Sequence, residues 1–268
     1  MTPNTQSPPS TVGVIDSGVG GLSVLSHLHS LLPQVSTIYF ADQKNLPYGE
    51  KSPTQIQQYV RQISEYLIQQ NVNVIVLACH AASAASLYEL RSHHPTIPMI
   101  GIEPAIKPAA EQTRTGVIGV LTTRATAQGA LYQSVVKRFA NHVRIEMRIT
   151  PELVTLVERN RQATAEGRAL LREIIMPMVD TGIDQLVLAC THFPFLRPVL
   201  DELLPPSVHI VDPAPAVSKQ TARILGDEAL QGRGYGSHQY FTSGDAQSFE
   251  TLATQLLKKP IQAQTVIL

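Results

Sequence analysis

Two segments of this chain have nearly the same sequence, and each ends in a cysteine. Asn73–Cys79 reads NVIVLAC and Asp184–Cys190 reads DQLVLAC, so their last four residues are identical. Short apolar runs rich in β-branched residues and followed by a helix-like pattern are typical of buried strands in parallel sheets. A shorter similarity relates Gly13–Ile15 to Gly116–Ile118. The sequence therefore predicts two related βα units.

Strand-like and helix-like segments alternate along the rest of the chain. Strands are predicted at Val12–Ile15, Ser36–Phe40, Val72–Ala78, Thr115–Leu121 and Gln185–Ala189. Helices are predicted at Leu22–Leu32, Pro53–Gln70, Ala81–Leu90, Ala127–Phe139, Ala165–Val179, Ala216–Leu225 and Phe249–Leu257. Residues 232–244 are predicted to form a loop. This alternation predicts an α/β fold with parallel sheets, and the two related units favour two similar domains.

The same pattern suggests where the domains begin and end. Residues 1–10 are polar and Pro-rich and are predicted to be a disordered tail. The first α/β domain is expected to comprise residues 11–104 together with 213–268, and the second residues 105–212. The stretch Asp212-Pro213-Ala214-Pro215 is expected to carry the chain back to the first domain.

The composition excludes several classes of protein. Hydrophobic residues make up 43% of the chain and charged residues 16%, with 21 basic and 21 acidic side chains. Such a balanced, apolar composition is typical neither of disordered chains nor of proteins that bind nucleic acid. No run approaches the ~18 apolar residues that span a membrane, and the first residues do not resemble a secretory leader. We therefore expect a cytoplasmic protein with no nucleic-acid or membrane partner.

The two cysteines, Cys79 and Cys190, are the strongest candidates for chemistry. Each follows a predicted strand, at the sheet edge where α/β proteins bind ligands. A helix N-terminus stabilises a thiolate, so we expect the thiol pKa to fall from about 8.5 toward neutrality. Simple burial in the core is the alternative for either cysteine alone. Their matched positions favour a reaction that needs one proton carrier on each side of a substrate, such as racemisation or epimerisation.

A glycine turn follows the first predicted strand. Asp16 ends that strand, and Ser17-Gly18-Val19-Gly20-Gly21 leads into the first helix. The Asp16 carboxylate can cap the helix or accept a proton from Cys79, and the two roles are compatible. Ser23 occupies the last glycine position of a dinucleotide fingerprint, and no lysine follows as it does in a P-loop. The turn is better suited to a small anion such as a carboxylate.

No metal site is predicted. Cys79-His80 and Cys190-Thr191-His192 lack the C-x₂₋₄-C spacing of structural zinc sites. His192 is better explained as a group that tunes Cys190 or carries a proton for it.

Several linked motifs occur in order from Val12 to Pro213, which is nearly the whole chain. The motifs are Asp16-Ser17-Gly18-Val19-Gly20-Gly21-Leu22-Ser23-Val24, Ala41-Asp42 with Pro47-Tyr48-Gly49, Leu77-Ala78-Cys79, Pro151-Glu152-Leu153-Val154-Thr155-Leu156-Val157-Glu158 and Leu188-Ala189-Cys190-Thr191-His192-Phe193-Pro194. Together they resemble the bacterial glutamate racemases of the aspartate/glutamate racemase superfamily. A linked set is far more specific than any one of these motifs.

The resemblance implies two similar doubly wound parallel-sheet domains that face each other across a central active-site cleft. It also implies a cofactor-independent homodimer that interconverts L- and D-glutamate and supplies D-glutamate for peptidoglycan. It implies that one of two thiolates, Cys79 or Cys190, removes the α-proton while the opposite thiol protonates the other face of the planar carbanion. It also implies that Asp16 assists Cys79, while Glu158 and His192 assist Cys190. The substrate-binding residues by similarity are Asp16, Ser17, Pro47, Tyr48, Gly49, His80, Ala81, Thr123, Thr126, Thr191 and His192.

The chain departs from the family pattern directly after the first cysteine. The family usually has Asn-Thr at these two positions, whereas His80 and Ala81 follow Cys79 here. Ala81 lacks a hydroxyl donor, and losing a hydrogen bond to a charged group costs about 1.5–3 kcal/mol. Two alternatives therefore stay open. One is a catalytically impaired homologue that binds an amino acid or a protein partner, and the other is a racemase for aspartate or another amino acid.

Overall fold

The computed structural model describes residues 10–230 and 234–268, so the predicted tail lies outside the described residues except for Ser10. Its strands, numbered in chain order, form two parallel sheets. The spatial order of the first sheet is β10 (Gln264–Thr265), β9 (His238–Thr242), β2 (Ser36–Ala41), β1 (Thr11–Asp16), β3 (Val74–Leu77) and β4 (Met99–Gly101). That of the second is β6 (Arg144–Ile149), β5 (Val117–Thr122), β7 (Gln185–Ala189) and β8 (His209–Val211). The predicted α/β fold is confirmed.

Helices connect the strands. They are α1 (Leu22–Leu31), α2 (Pro53–Gln69), α3 (His80–His93), α4 (Ile106–Gln112), α5 (Arg124–Gln128), α6 (Ala130–Phe139), α7 (Pro151–Glu158), α8 (Ala165–Asp180), α9 (Arg197–Leu203), α10 (Ala214–Leu230, interrupted at Gly226) and α11 (Ala246–Leu257). Short 3₁₀ turns occur at Gln43–Asn45, Tyr48–Glu50 and Phe193–Leu196. Within the described part of the chain, no helix combines the length and the apolar character needed to cross a membrane.

The strands are apolar at successive positions because both faces of each sheet are covered. Every residue of β1 from Val12 to Asp16 is buried, as in other parallel sheets. Val14 and Val76 of the first sheet belong to the same apolar cluster as Leu121 and Leu188 of the second. The two sheets therefore share part of one core, and the site described below lies between them.

The strand register brings the candidate residues to matching edges. β1 pairs in parallel with β3, with Ile15 opposite Leu77, so Asp16 and Cys79 leave the sheet at the same edge. In the second sheet β5 and β7 pair in the same way, with Thr122 opposite Ala189. The carboxyl ends of parallel strands are the edge where α/β folds bind ligands.

Two predicted elements differ in the structure. The predicted loop at residues 232–244 contains β9, which pairs with β2 and buries Tyr240 and Phe241; its residues 232 and 233 lie outside the described chain. The predicted helix Ala127–Phe139 is divided by Gly129, whose backbone is extended. A Cβ at Gly129 would lie 2.8 Å from the Cβ of Ala84 on α3, so close packing against α3 requires glycine there.

The predicted domain boundaries stay a prediction. The first sheet takes its strands from residues 11–101 and 238–265, and the second takes its strands from residues 117–211. The position of each strand is thus compatible with a chain that leaves the first domain and later returns to it.

Asp184 fixes the connection that leads into β5. Its carboxylate accepts hydrogen bonds from the Thr113 hydroxyl at 2.5 Å and from the backbone N–H groups of Arg114 and Thr115 at 2.6 and 3.1 Å. Burial raises the pKa of Asp184, but these hydrogen bonds outweigh it and hold the pKa below its ordinary value. The carboxylate therefore stabilises the fold when it is charged.

Asp184→Asn is expected to lower the free energy of unfolding at pH 7 by about 1–3 kcal/mol, because an amide cannot accept all three bonds. A lowered folded pKa gives stability that is present at neutral pH and lost as the pH falls through that pKa, so the difference should shrink as the pH falls below the ordinary aspartate pKa of 3.8. Urea unfolding at a series of pH values from 7 downward measures the difference. Asp180→Asn, at an exposed position of α8, is the matched control; an equal loss in both variants would contradict this role.

Candidate active site

Both cysteines lie at carboxyl edges of the sheets and border one narrow cavity. Cys79 is the N-cap of α3, and Cys190 directly follows β7. Each thiol is free, and only 7% and 8% of the two residues is exposed. The space between the walls of the cavity, including the open mouth, is about 280 Å³. Its lining residues are Ser17, Pro47, Tyr48, Gly49, Cys79, His80, Ala81, Thr123, Thr126, Val154, Cys190 and His192.

Three of the predicted site residues lie behind this lining, and one lining residue was not predicted. Asp16, Glu158 and Thr191 contact lining residues or one another through hydrogen bonds. Val154 of α7 is buried and borders the cavity. It lies one helical turn before Glu158, so helical spacing within that motif was the signal that could have identified it.

Cys79 lies in a setting that favours the neutral thiol. Its Sγ is 4.0 Å from the Ser17 Oγ. Burial and the charge of Asp16 raise the pKa of the Cys79 thiol, against the lowering effect of the Ala82 and Ala81 backbone N–H groups. The predicted fall of this pKa toward neutrality is therefore wrong, because burial outweighs the helix N-terminus. The thiol needs a nearby proton acceptor before it can act as a base.

Asp16 is the buried carboxylate near Cys79. It accepts hydrogen bonds from the backbone N–H of Gly18 and from the hydroxyl of Thr191, both at 2.9 Å. Burial raises the pKa of Asp16, and the charge of His192 and these two hydrogen bonds only partly offset the rise. A carboxylate with a raised pKa takes up a proton more readily than an ordinary one. Asp16 is thus chemically suited to accept the proton of Cys79.

A chain of hydrogen bonds supports Cys190. Its Sγ lies 3.7 Å from Nδ1 of His192, and Nε2 of His192 lies 2.7 Å from Oε1 of Glu158. Burial lowers the pKa of His192, but its hydrogen bonds to Cys190 and Glu158 and their charges outweigh burial and raise this pKa well above its ordinary value. A charged imidazole next to a thiol stabilises the thiolate. The two cysteines therefore have different ionisable partners, a carboxylate near Cys79 and an imidazole next to Cys190.

The glycine turn between β1 and α1 holds two carboxylates of the protein itself. The backbone N–H of Gly18 binds the carboxylate of Asp16, and that of Val19 binds Oε1 of Glu158 at 2.9 Å. The sequence suggested that this turn cradles a small anion. In the structure, these two donors instead hold Asp16, whose charge acts on Cys79, and Glu158, which contacts Cys190 only through His192.

Other predicted substrate-binding hydroxyls have partners within the protein. Tyr48 donates to the carboxylate of Asp42 at 2.6 Å. The hydroxyls of Thr123 and Thr126 are 3.2 Å apart and both residues border the cavity. A ligand in the cavity therefore meets the threonine pair directly, whereas the Tyr48 hydroxyl is already bonded.

His80 has a buried side chain without a hydrogen-bond partner. It is the first residue of α3, only 3% of it is exposed, and neither ring nitrogen has a partner among the described residues. Burial lowers the pKa of His80 to about 3. At neutral pH its imidazole is thus uncharged.

The basic side chains of the cavity are histidines. Of the lining residues that the structure describes, none is lysine or arginine, and only His80 and His192 can carry a positive charge. Across residues 10–230 and 234–268, no group of three or more His, Cys, Asp and Glu side chains is placed to hold a metal ion. The groups available for chemistry at this site are therefore thiols, carboxylates and imidazoles.

Comparison with known families agrees with this arrangement. The family model described as Asp/Glu/hydantoin racemase matches residues 12–221. A glutamate racemase from Pseudomonas putida is 42% identical over 258 residues, which cover 96% of this chain and 97% of the relative.

Solved structures show the same relationship. The crystal structure of glutamate racemase isoform RacE1 from Bacillus anthracis has a TM-score of 0.87 at 32% identity and covers 97% of this chain and 98% of its own. Glutamate racemase from Escherichia coli, crystallised with L-glutamate and the activator UDP-MurNAc-ala, has a TM-score of 0.86 at 33% identity and covers 97% of this chain and 99% of its own. The chain belongs to the glutamate racemase family, within the Asp/Glu/hydantoin racemases.

Proposed function

We propose that this protein interconverts L-glutamate and D-glutamate without a cofactor, with Cys79 and Cys190 as its two bases. The observation that carries the proposal is that both buried thiols border the same narrow cavity, each with its own ionisable partner. The names of the relatives support glutamate as the substrate. A substrate between the two thiols presents opposite faces of its α-carbon to them.

The reaction consists of two proton transfers. The thiolate on one side takes the α-proton, and the electron pair of the broken C–H bond stays on the substrate as a planar carbanion. The thiol on the other side then donates its proton to the opposite face, so one proton is removed and one is added. The reverse reaction exchanges the roles of Cys79 and Cys190.

Each thiol is assisted by different groups. Asp16 accepts the proton of Cys79, which its raised pKa favours. His192, held by Glu158, stabilises the thiolate of Cys190 and exchanges a proton with it. The α-proton of an amino acid is a very weak acid, so fixed donors and exclusion of water must also stabilise the carbanion. The N–H groups at the start of α3 and the pair Thr123 and Thr126 are suitable donors.

The cellular setting follows from the family resemblance. It predicts a cytoplasmic homodimer that supplies D-glutamate for peptidoglycan. Substrate-shifted or non-catalytic versions of the protein stay alternatives because His80 and Ala81 replace the family's usual Asn-Thr.

The proposed reaction is tested by incubating the purified protein with L-glutamate in D₂O. We expect the α-proton signal to disappear from the NMR spectrum and D-glutamate to appear in a chiral assay of the same sample, because reprotonation draws on solvent deuterium. The same assay with L-aspartate should give a much lower kcat/KM. A folded protein that exchanges no glutamate proton would refute glutamate as the substrate.

Cys79→Ser and Cys190→Ser are each expected to abolish racemisation, since a serine hydroxyl is far too weak an acid to replace a thiol at neutral pH. Because one thiol remains in each variant, any residual exchange of the α-proton should be confined to one enantiomer, and to opposite enantiomers in the two variants. Proton exchange and chiral product are measured for each pure enantiomer. Wild-type racemisation by either variant would contradict the two-base mechanism.

His192→Asn is expected to lower kcat/KM by about 10²–10⁴-fold, the usual contribution of a positioned acid or base. Because the equilibrium constant of racemisation is one, kcat/KM must fall equally for L- and D-glutamate. His209→Asn, at an exposed position of β8, is the matched control and should retain full activity. Equal activity of both variants would exclude His192 from the reaction.

A further inference from the structure

We propose that His80 binds a carboxylate of the substrate and takes up a proton as it does so. This inference rests on the proposed function, because it requires a substrate that brings a carboxylate into this cavity. It assigns His80 a role in recognising substrate charge, separate from the proton transfers at the two cysteines.

The first argument is the state of the His80 ring in the free protein. Both ring nitrogens are buried, and neither has a hydrogen-bond partner among the described residues. Leaving a buried polar group unpaired costs about 1–3 kcal/mol, so such groups usually have a partner in the functional complex. His80 borders the cavity beside Cys79, where a ligand can supply that partner.

The second argument is the charge balance of the cavity. Glutamate brings two carboxylates and one ammonium group, a net charge of −1, into a site whose described lining residues include no lysine or arginine. His192 is the other histidine of the lining, and it is already bonded to Cys190 and Glu158. His80 is therefore the lining side chain that remains available to neutralise a carboxylate.

The third argument is what surrounds the ring. The titratable groups nearest in the cavity are Cys79, Cys190, His192 and Tyr48, with Asp16 behind them. The other elements packed against α3 are α2, α5, α6, β3, β4 and the turn Tyr48–Glu50. Apart from Tyr48, their charged and titratable residues are Glu50, Tyr59, Arg61, Glu65, Tyr66, Arg124, Tyr132, Lys137 and Arg138, and the exposed Glu103 follows β4. None of these groups is hydrogen-bonded to either His80 nitrogen, so the protein itself does not hold the ring in its charged form.

The sign of the pH effect follows from these surroundings. Burial keeps the pKa of free His80 low, at about 3, and a bound carboxylate raises it by favouring the charged form. Between those two pKa values, one proton is taken up for each substrate bound. The KM for glutamate should therefore rise with pH, by up to about tenfold per pH unit, while kcat changes little on this account.

The test is calorimetric titration of the full-length protein with DL-glutamate at one pH in two buffers that differ in ionisation enthalpy. The racemic mixture removes any heat of turnover. We expect the wild type to take up about one proton more per bound glutamate than His80→Asn or His80→Gln, since neither amide can be protonated. The KM of these variants should also lose the rise with pH. His93→Asn is the matched control, because His93 is an exposed residue at the far end of the same helix.

The outcomes separate the two proposals. Glutamate binding with the same proton uptake in wild type and in a folded His80 variant would overturn this inference and leave the racemase intact. A wild-type protein that neither binds nor racemises glutamate would overturn the proposed function and this inference with it. Two variants are used so that misfolding of one does not decide the result.

Discussion

The hydrogen bond from the Thr191 hydroxyl to the Asp16 carboxylate joins the two halves of the site. Thr191 follows a strand of the second sheet and Asp16 ends a strand of the first, so this bond fixes the edges of the two sheets against each other. Gly20 makes the approach possible, because a Cβ there would overlap the Thr191 and His192 side chains. The groups that support each thiol are therefore held partly from the opposite half of the molecule: Asp16 by Thr191, and Glu158 by the backbone N–H of Val19.

The two sides of the cavity are chemically unequal. Burial and the carboxylate of Asp16 both favour the neutral thiol of Cys79, whereas Cys190 contacts the imidazole of His192. A two-base racemase needs one thiol and one thiolate at the start of each turnover, and two cysteines with different partners are suited to this division. The charge in the cavity changes when the ammonium group of the substrate enters and again when the carbanion forms. The protonation of the two thiols changes with it, so the same groups serve both directions of the reaction.

The sequence was most informative where local pattern and position coincide. The strand ends at Cys79 and Cys190 were recognisable because buried parallel strands are short apolar runs. The strand β9 was missed, since its pairing with β2 depends on burial of Tyr240 and Phe241 against distant residues. The direction in which the pKa of Cys79 is shifted was missed for a similar reason. A helix N-terminus is visible in the sequence, but the burial that outweighs its effect on the pKa is set by the tertiary structure.

The absence of lysine and arginine from the described lining residues has a consequence for catalysis. A fixed cation would stabilise the bound substrate and the carbanion alike, and only interactions that are stronger in the transition state accelerate a reaction. Histidines and backbone N–H groups behave differently, because the charge of an imidazole follows that of its partners and an N–H group gains strength as negative charge develops on the acceptor. The backbone N–H groups of this site are therefore matched to the charge that appears during proton abstraction, whereas the proposed protonation of His80 serves the charge of the resting amino acid.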